Sequence, residues 1–465
     1  ATDPEKLKAQ YDFQSPNDQQ TDLFNGFILE PGTIVRRYDE LVDDNLDLSG
    51  KFVWDVFDSG VSFAQLTTGM QFISRRRDAD SATYGFNVNQ VRDDLLRTSN
   101  LLVSDVVYSC DDAAASLECG AETPRGISNN ANTGLVFVDK TLASDSYDAE
   151  LEYNSAYVMY DHTFDSSWQV IFGGRYETYK QITDTFSLQG EQGSVQSVID
   201  EDSILPSVGV NWFVADTHQL RFALSQTVAR PDFKEAANAT FYDNEFNVRV
   251  RGNPFLEISH IINADLRWEW YLSEMDNLSV ALFYKDMDKP IERVVQAASG
   301  TAGNTRTFQN SDSAALYGVE LDGRFEFILG EGYDQTLFFA FNAAFIESEV
   351  TANNQEDRSL QGQPEYTANL IFGYDHVSAG HQLTVLLNQN GKSIADVGVS
   401  GQPDVFLEPR LDLNVIYRFG ISDSLTLKAK LENLLDDEIE YTQGGQIFQV
   451  YNRGPSIQVG LDWQF

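Results

Sequence analysis

The chain of 465 residues has little cysteine, few basic residues and no long apolar run. Its 32 Lys and Arg are outnumbered by 71 Asp and Glu, which gives a formal charge of −39. A phosphate backbone would repel such a protein, so nucleic-acid binding through a broad basic face is excluded. The longest nearly apolar run, from Leu337 to Ile346, is shorter than the about 18 to 20 residues of a membrane-spanning helix.

The motifs of common enzymes and metal sites are also missing. The five histidines are scattered and fit neither HExxH nor zinc-finger spacing, and the sequence has no GxSxG, P-loop or GxGxxG pattern. Carboxylates are abundant in the predicted loops, but no calcium-loop pattern organises them. We therefore expect no catalytic activity, no cofactor and no resident metal ion.

What the sequence does contain is period-two alternation. In the last ten residues every second side chain is apolar, ending in Leu461, Trp463 and Phe465, and the residues between them are polar or glycine. Such a segment forms a strand with one apolar and one polar face. The acidic composition does not indicate disorder, because 42% of the residues are hydrophobic and 31 are Phe.

Fifteen strands of this kind are predicted along the chain, and the links between them alternate between short turns and long loops. The predicted strands are 45–56, 61–75, 150–163, 168–180, 203–212, 218–227, 261–272, 277–287, 315–327, 335–346, 364–374, 380–390, 408–418, 424–435 and 451–465. A β-sandwich does not require this strict alternation of short and long links, whereas the alternation is typical of an outer-membrane barrel. The sequence therefore predicts an all-β protein, a transmembrane antiparallel β-barrel with short periplasmic turns and long extracellular loops.

Several motifs in the second half of the chain resemble the TonB-dependent receptors of Gram-negative outer membranes. They are "TVARPDF" (Thr227 to Phe233), "RGNPFL" (Arg251 to Leu256), "NADLRWEWY" (Asn263 to Tyr271), "LSVALFYKDMDKPIE" (Leu278 to Glu292), "YGVELDGRFEF" (Tyr317 to Phe327), "GQPEYTANL" (Gly362 to Leu370) and "LENLLDDE" (Leu431 to Glu438). The resemblance covers about residues 203 to 465, and the stretch 45 to 180 is compatible with it. Each motif also has a scaffold role, such as a proline placed just beyond a strand end.

The resemblance implies a barrel of about 22 strands around a plug domain, of which this chain would supply fifteen strands and no plug. Residues 1–44 would be an extracellular-loop-like start, and 45–465 the barrel strands. The expected localisation is the Gram-negative outer membrane. Expected partners are the TonB complex, acting through the absent N-terminal region, lipopolysaccharide and outer-membrane lipid, the transported solute, and the barrel-assembly machinery, which would read Phe465.

The function implied by the resemblance is receptor-mediated import of a scarce large solute, driven by TonB, with a ferric siderophore as the first expectation. TonB-dependent uptake of oligosaccharide or cobalamin is the alternative substrate class. A passive porin-like barrel without energy coupling is the alternative mechanism. An outer-membrane hydrolase is disfavoured because no nucleophile and base pair is present.

Basic residues are scarce enough to mark candidate ligand contacts. Alternation turns Arg75 and Arg77 toward the lumen and Arg76 toward lipid, where it would meet lipopolysaccharide phosphates. Arg249 and Arg251 lie in a long loop. The competing interpretation is that these arginines form local ion pairs, which contribute little when exposed.

The two cysteines, Cys110 and Cys119, lie close together in a predicted extracellular loop. An oxidising compartment favours disulfides. We therefore expect a local disulfide between them.

Overall fold

The computed structural model describes residues 11–13, 27–29, 35–88, 107–108, 135–139, 141–186, 194–243, 248–297, 304–330, 332, 334–352 and 357–464. Most of these residues lie in strands. The helical segments among them are a 3-10 turn, Ala143–Asp145, and a single-turn helix α1, Phe233–Ala236. No helix in the described ranges is long and apolar enough to cross a membrane.

In chain order the described strands are β1 (Tyr11–Phe13), β2 (Phe27–Leu29), β3 (Val35–Asp58), β4 (Phe63–Val88), β5 (Val107–Tyr108), β6 (Leu135–Asp139), β7 (Tyr147–Phe164), β8 (Trp168–Phe186), β9 (Ser194–Ala215), β10 (His218–Ala229), β11 (Thr240–Asp243), β12 (Val248–Arg251), β13 (Ser259–Tyr271), β14 (Asn277–Asp288), β15 (Ile291–Ala297), β16 (Asn304–Asn310), β17 (Ser313–Ile328), β18 (Gln335–Thr351), β19 (Tyr366–His376), β20 (His381–Asn390), β21 (Ser393–Gly398), β22 (Val405–Leu407), β23 (Arg410–Ser422), β24 (Leu425–Glu432), β25 (Ile439–Gln443), β26 (Gln446–Tyr451) and β27 (Ser456–Trp463).

Fifteen of these strands, counted within the described residues, follow one another around a closed barrel: β3, β4, β7, β8, β9, β10, β13, β14, β17, β18, β19, β20, β23, β24 and β27. Each overlaps one of the fifteen predicted strands, so the predicted barrel is confirmed. Neighbouring strands from β9 to β27 pair antiparallel. The short strands β5 and β6 lie between β4 and β7, and the order of the strands around the barrel is their order along the chain, as short connections favour.

The strand ends differ from the prediction in both directions. β3 begins at Val35, ten residues before the predicted start, because backbone pairing continues past the apolar stretch into polar sequence. β24 ends at Glu432, three residues early. The next residue, Asn433, has a φ of 50°, a left-handed conformation that cannot continue a strand.

The long loops contain a second sheet that the sequence did not predict. Its order is β11, β12, β16, β15, β21, β22, β25, β26. Two of its pairings are parallel, β12 with β16 and β15 with β21, and each joins strands from different loops. Local alternation cannot reveal such pairings, because the partners lie far apart in sequence.

Side-chain exposure follows the alternation in the barrel wall. On β10, Phe222 is 43% and Leu224 42% exposed, whereas Gln219 is 7% exposed. The exposed apolar side chains therefore define the lipid face, and the intervening residues face the lumen.

Contacts divide the chain into two units. One consists of residues 1–44, 77–148 and 184–195, and the other of 45–76, 149–183 and 196–465. The second unit has a core of Tyr153, Tyr179, Ile199 and Ile258, against which Ile73, Leu151 and Val228 pack. Ile258 comes from the loop after β10, so part of that loop is packed against the barrel wall.

Candidate functional site

Arg75 is a partly buried residue of β4, and its guanidinium lies 5.2 Å from the ring centroid of Phe233. Phe233 is the first residue of α1 and is 3% exposed. Asp232 caps this helix by accepting a hydrogen bond from the Lys234 amide at 3.0 Å. The loop after β10 thus brings an apolar ring under a lumen-facing arginine.

The two arginines that follow Arg75 have the expected alternation. The Arg76 side chain is 63% exposed and lies 3.9 Å from Glu150. Arg77, in the other unit, is 12% exposed and binds Asp43 at 2.7 Å. For Arg77 the structure therefore shows a local ion pair, the competing interpretation of these residues.

Arg249 and Arg251 lie on β12 of the loop sheet. Arg251 donates two hydrogen bonds to Asn238 Oδ1, at 3.0 and 2.7 Å. Arg249 is exposed, and its register partner is Tyr242. Burial raises the pKa of Tyr242, and the Arg249 charge partly offsets that rise.

Three further residues of interest from the sequence, Cys110, Cys119 and Phe465, lie outside the described residues. The disulfide and the assembly signal therefore stay predictions.

One polar cluster in the described part of the lumen wall was not predicted from the sequence. Glu177 on β8 accepts a hydrogen bond from Arg175 Nε at 2.6 Å and another from Arg230 Nη2 at 2.6 Å. The Glu177 side chain is 7% exposed, that of Arg230 18% and that of Arg175 30%. Two guanidinium groups thus share one carboxylate, which leaves the trio with a net positive charge. Together with Tyr153 and Tyr179 these residues are called the lumen cluster.

Tyrosines complete the lumen cluster. The Tyr153 hydroxyl donates to Glu177 Oε1 at 2.7 Å, and Arg175 Nη2 donates to Ser155 Oγ at 2.7 Å. The Arg230 guanidinium lies 4.5 Å from the Tyr179 ring centroid, within the range of a cation–π interaction. The lumen wall therefore presents guanidinium donors that lie against aromatic rings.

A buried amide next to this cluster has spare donor capacity. Gln181 accepts a hydrogen bond from the Tyr179 hydroxyl, but its Nε2 is buried and has no hydrogen-bond partner among the described residues. Buried donors without partners are costly, and they are found where a water or a ligand binds. Arginine forks and an amide donor together complement a carboxylate or another multidentate oxyanion.

Part of the lumen cluster had a signal in the sequence. Arg175, Glu177 and Tyr179 alternate along β8, which places them on one face. Arg230 lies 53 residues beyond Glu177, and its only local feature in the sequence is that it precedes a proline just beyond a strand end. Nothing local indicates that these two residues meet.

The loop sheet is held together by ion pairs of its own. Arg358 donates to both oxygens of Glu292, at 2.8 and 2.6 Å, and Glu292 is 1% exposed. Burial alone would raise the pKa of Glu292, but the hydrogen bonds from Arg358 and Ser311 outweigh it and hold that pKa below its usual value. Asp396, fully buried on β21, pairs with Arg293 and Arg306. These contacts link three loops, those that follow β14, β18 and β20.

The comparisons with known proteins agree with this architecture. The family model described as "TonB dependent receptor-like, beta-barrel" matches residues 2–434. An iron-regulated outer membrane virulence protein of Vibrio cholerae is 25% identical over 226 residues, which cover 46% of this chain and 32% of that protein. The chain therefore matches about a third of this curated relative.

Two solved structures share the fold. The siderophore receptor PiuA from Acinetobacter baumannii is 14% identical with a TM-score of 0.57, over 93% of this chain and 56% of that one. The ferric yersiniabactin uptake receptor FyuA from Yersinia pestis is 14% identical with a TM-score of 0.55, over 94% of this chain and 56% of that one.

The chain is thus an outer-membrane β-barrel of the transport-receptor class. It belongs to the TonB-dependent receptor β-barrel family, and it resides in the outer membrane of a Gram-negative bacterium. The family consists of transport receptors and not of enzymes.

Proposed function

We propose that the protein imports a scarce, large, anionic solute across the outer membrane with energy delivered by TonB, and that this solute is a ferric siderophore. The names of its structural neighbours support the cargo class, since one is a siderophore receptor and another takes up ferric yersiniabactin. The similar Vibrio cholerae protein is named as iron-regulated.

The observation that carries the proposal is the lumen cluster. Two arginines share one carboxylate there, beside tyrosine faces and a spare amide donor. A lumen in a chain of charge −39 would repel anions in general. A local positive site therefore selects for a ligand that presents oxyanions. Arg75, Arg77, Arg249 and Arg251 are proposed as further contacts for the same ligand.

The test uses the full-length protein as the only siderophore receptor of a host strain. Uptake of radioactive iron is measured with catecholate, hydroxamate and carboxylate siderophores, with TonB functional or disrupted. We expect saturable uptake of at least one ferric complex that is lost without TonB. Solute flux that persists without TonB would instead establish a passive porin. TonB-dependent uptake of cobalamin or an oligosaccharide, with no ferric complex transported, would show that the transported solute is not a ferric siderophore.

Substitution separates the lumen cluster from the lumen in general. Arg230→Gln removes one of the two shared guanidinium groups, and we expect roughly tenfold weaker ligand binding, since a hydrogen bond to a charged group contributes about 1.5–3 kcal/mol. Arg221→Gln is the matched control, because Arg221 also faces the lumen but lies near the turn end of β10 and is 48% exposed. Equal ligand affinities for the two variants, at equal amounts of protein on the cell surface, would show that the lumen cluster is not part of the ligand-binding site.

A further inference from the structure

The short turns at one end of the barrel carry acidic residues and no basic ones. These turns are 59–62, 165–167, 216–217, 272–276, 329–334, 377–380 and 423–424, and together with the adjoining strand ends they are called the turn rim. Neither the turns nor the two residues on either side of each contain Lys or Arg. The described carboxylates in or next to them are Asp58, Asp165, Asp216, Glu274, Asp276, Asp334, Asp375 and Asp423.

Aromatic rings lie on the lipid face directly above these turns. Trp168 and Trp212 stack with ring centroids 4.9 Å apart and planes 5° apart. His218 stacks between Trp268 at 5.8 Å and Trp270 at 5.6 Å. Around the barrel, His381 stacks on Phe419 at 4.6 Å.

The aromatic rings above the turns include all six tryptophans of the chain: Trp54, Trp168, Trp212, Trp268, Trp270 and Trp463. Each lies within about five residues of a turn or pairs with a residue next to one. The register places them on the lipid face, as Trp212 pairs with Leu220 and Leu220 with Trp268. Indole N–H groups at a membrane interface donate hydrogen bonds to headgroup oxygens.

Several carboxylates of the turn rim are available to an external partner. In the described part of the chain, the side chains of Asp165, Asp216 and Asp423 make no hydrogen bond or ion pair. Asp165 precedes Trp168 by three residues, and Asp216 precedes His218 by two. Free carboxylates are thus placed next to aromatic rings that touch lipid.

The charge of this rim determines which headgroup fits it. Carboxylates without neighbouring cations repel an anionic headgroup within a Debye length of about 8 Å at physiological salt. A primary ammonium instead donates three hydrogen bonds to carboxylates. A quaternary ammonium carries the same charge but has no N–H to donate.

We propose that the turn rim binds aminophospholipids. The lipid ammonium binds turn carboxylates such as Asp165, Asp216 and Asp423, and the lipid phosphate accepts hydrogen bonds from the indole N–H groups above them. This interaction surface lies on the lipid side of the barrel at its turn end, and it is separate from the lumen cluster.

The tryptophans make the proposal directly measurable, because all six report on the turn rim. The chain is reconstituted in vesicles that contain bromine-labelled phosphatidylethanolamine, phosphatidylcholine or phosphatidylglycerol, and quenching of tryptophan fluorescence gives the relative binding constants. We expect phosphatidylethanolamine to be preferred over phosphatidylcholine by about two- to fivefold, the range of an exposed charge pair. The preference over phosphatidylglycerol is expected to be larger and to shrink at 1 M salt, where the screening length is about 3 Å.

A matched pair of triple variants distinguishes the carboxylates from a general effect of lipid packing. Asp165→Asn, Asp216→Asn and Asp423→Asn together should abolish the preference. Asp286→Asn, Asp288→Asn and Glu349→Gln together remove the same charge from exposed positions near the loop end of the wall and should leave the preference intact. Equal quenching by phosphatidylethanolamine and phosphatidylcholine, a preference for phosphatidylglycerol, or equal loss in both triple variants would each overturn the proposal.

Discussion

Among single residues, Glu177 is a buried carboxylate that holds several side chains of the lumen wall together. It accepts hydrogen bonds from Arg175, Arg230 and Tyr153 while 7% exposed. Glu177→Gln keeps the shape but leaves two guanidinium groups without a counter-charge. We expect the free energy of unfolding to fall by roughly 2 kcal/mol, as for other half-buried ion pairs that lose one partner.

The measurement is a urea titration of the folded barrel in vesicles, with Glu150→Gln as the control. Glu150 is 64% exposed and 3.9 Å from Arg76, so its removal should change the free energy of unfolding by less than about 0.5 kcal/mol. Indistinguishable midpoints for the two variants would show that the lumen cluster contributes nothing to stability.

Gly318 on β17 is a second residue whose identity is dictated by its neighbours. A Cβ there would lie 2.4 Å from the Phe345 carbonyl oxygen and 2.5 Å from the Phe283 ring. Gly318→Ala should destabilise the barrel by about 1–3 kcal/mol, because backbone has to move. Gly209→Ala, whose nearest neighbour would be 3.8 Å away, is the control and should be close to neutral in the same urea titration. A neutral Gly318→Ala would mean that the close approach is absent.

Among the elements, the loop sheet is the one whose stability should depend on pH. The pKa of Glu292 is lowered in the folded state from an ordinary value of 4.5. Its pairing with Arg358 therefore stabilises the sheet fully above that ordinary value, and the contribution is lost as pH falls through the lowered folded pKa. We expect protection of residues 291–297 from hydrogen exchange, corrected for intrinsic rates, to stay constant between pH 7 and pH 5 and to drop below about pH 4.

Glu292→Gln should remove that acid dependence, whereas Glu257→Gln should keep it. Glu257 is 60% exposed and pairs with Lys289 outside the sheet, so it is a carboxylate control from the same loops. An acid-induced loss of protection that persists in Glu292→Gln would assign the dependence to another group.

The barrel strands could be predicted from sequence and the loop strands could not, for a physical reason. A wall strand has lipid on one side along its length, so alternation is imposed residue by residue. A loop strand such as β21 is buried among other loops, and its partner β15 lies about a hundred residues earlier. Its apolar side chains satisfy a local packing environment and leave no periodic signal.

For the whole molecule, the decisive property is that one face of every wall strand meets lipid. Val459 and Gln458 are neighbours on β27, and the alternation places their side chains on opposite faces of the strand. The Gln458 side-chain amide donates a hydrogen bond to Glu432 at 3.0 Å. Val459→Lys should lower the free energy of unfolding by about 2–4 kcal/mol, whereas Gln458→Lys places its charge in the lumen and should be nearly neutral. Refolding yield and urea midpoint in vesicles measure both, and a reversed order would mean that the facing of β27 is inverted.

The sequence by itself determined the class of protein, the fifteen wall strands, the side of each that faces lipid and the parity of the links. These follow from local alternation, because the membrane acts as a uniform solvent on one face of each strand. Only the tertiary structure decided that Arg175, Glu177 and Arg230 form one site and that four loops share a sheet. Those contacts join strands that are neighbours around the barrel or across loops but distant in sequence, so they depend on strand register and loop packing, which no local pattern specifies.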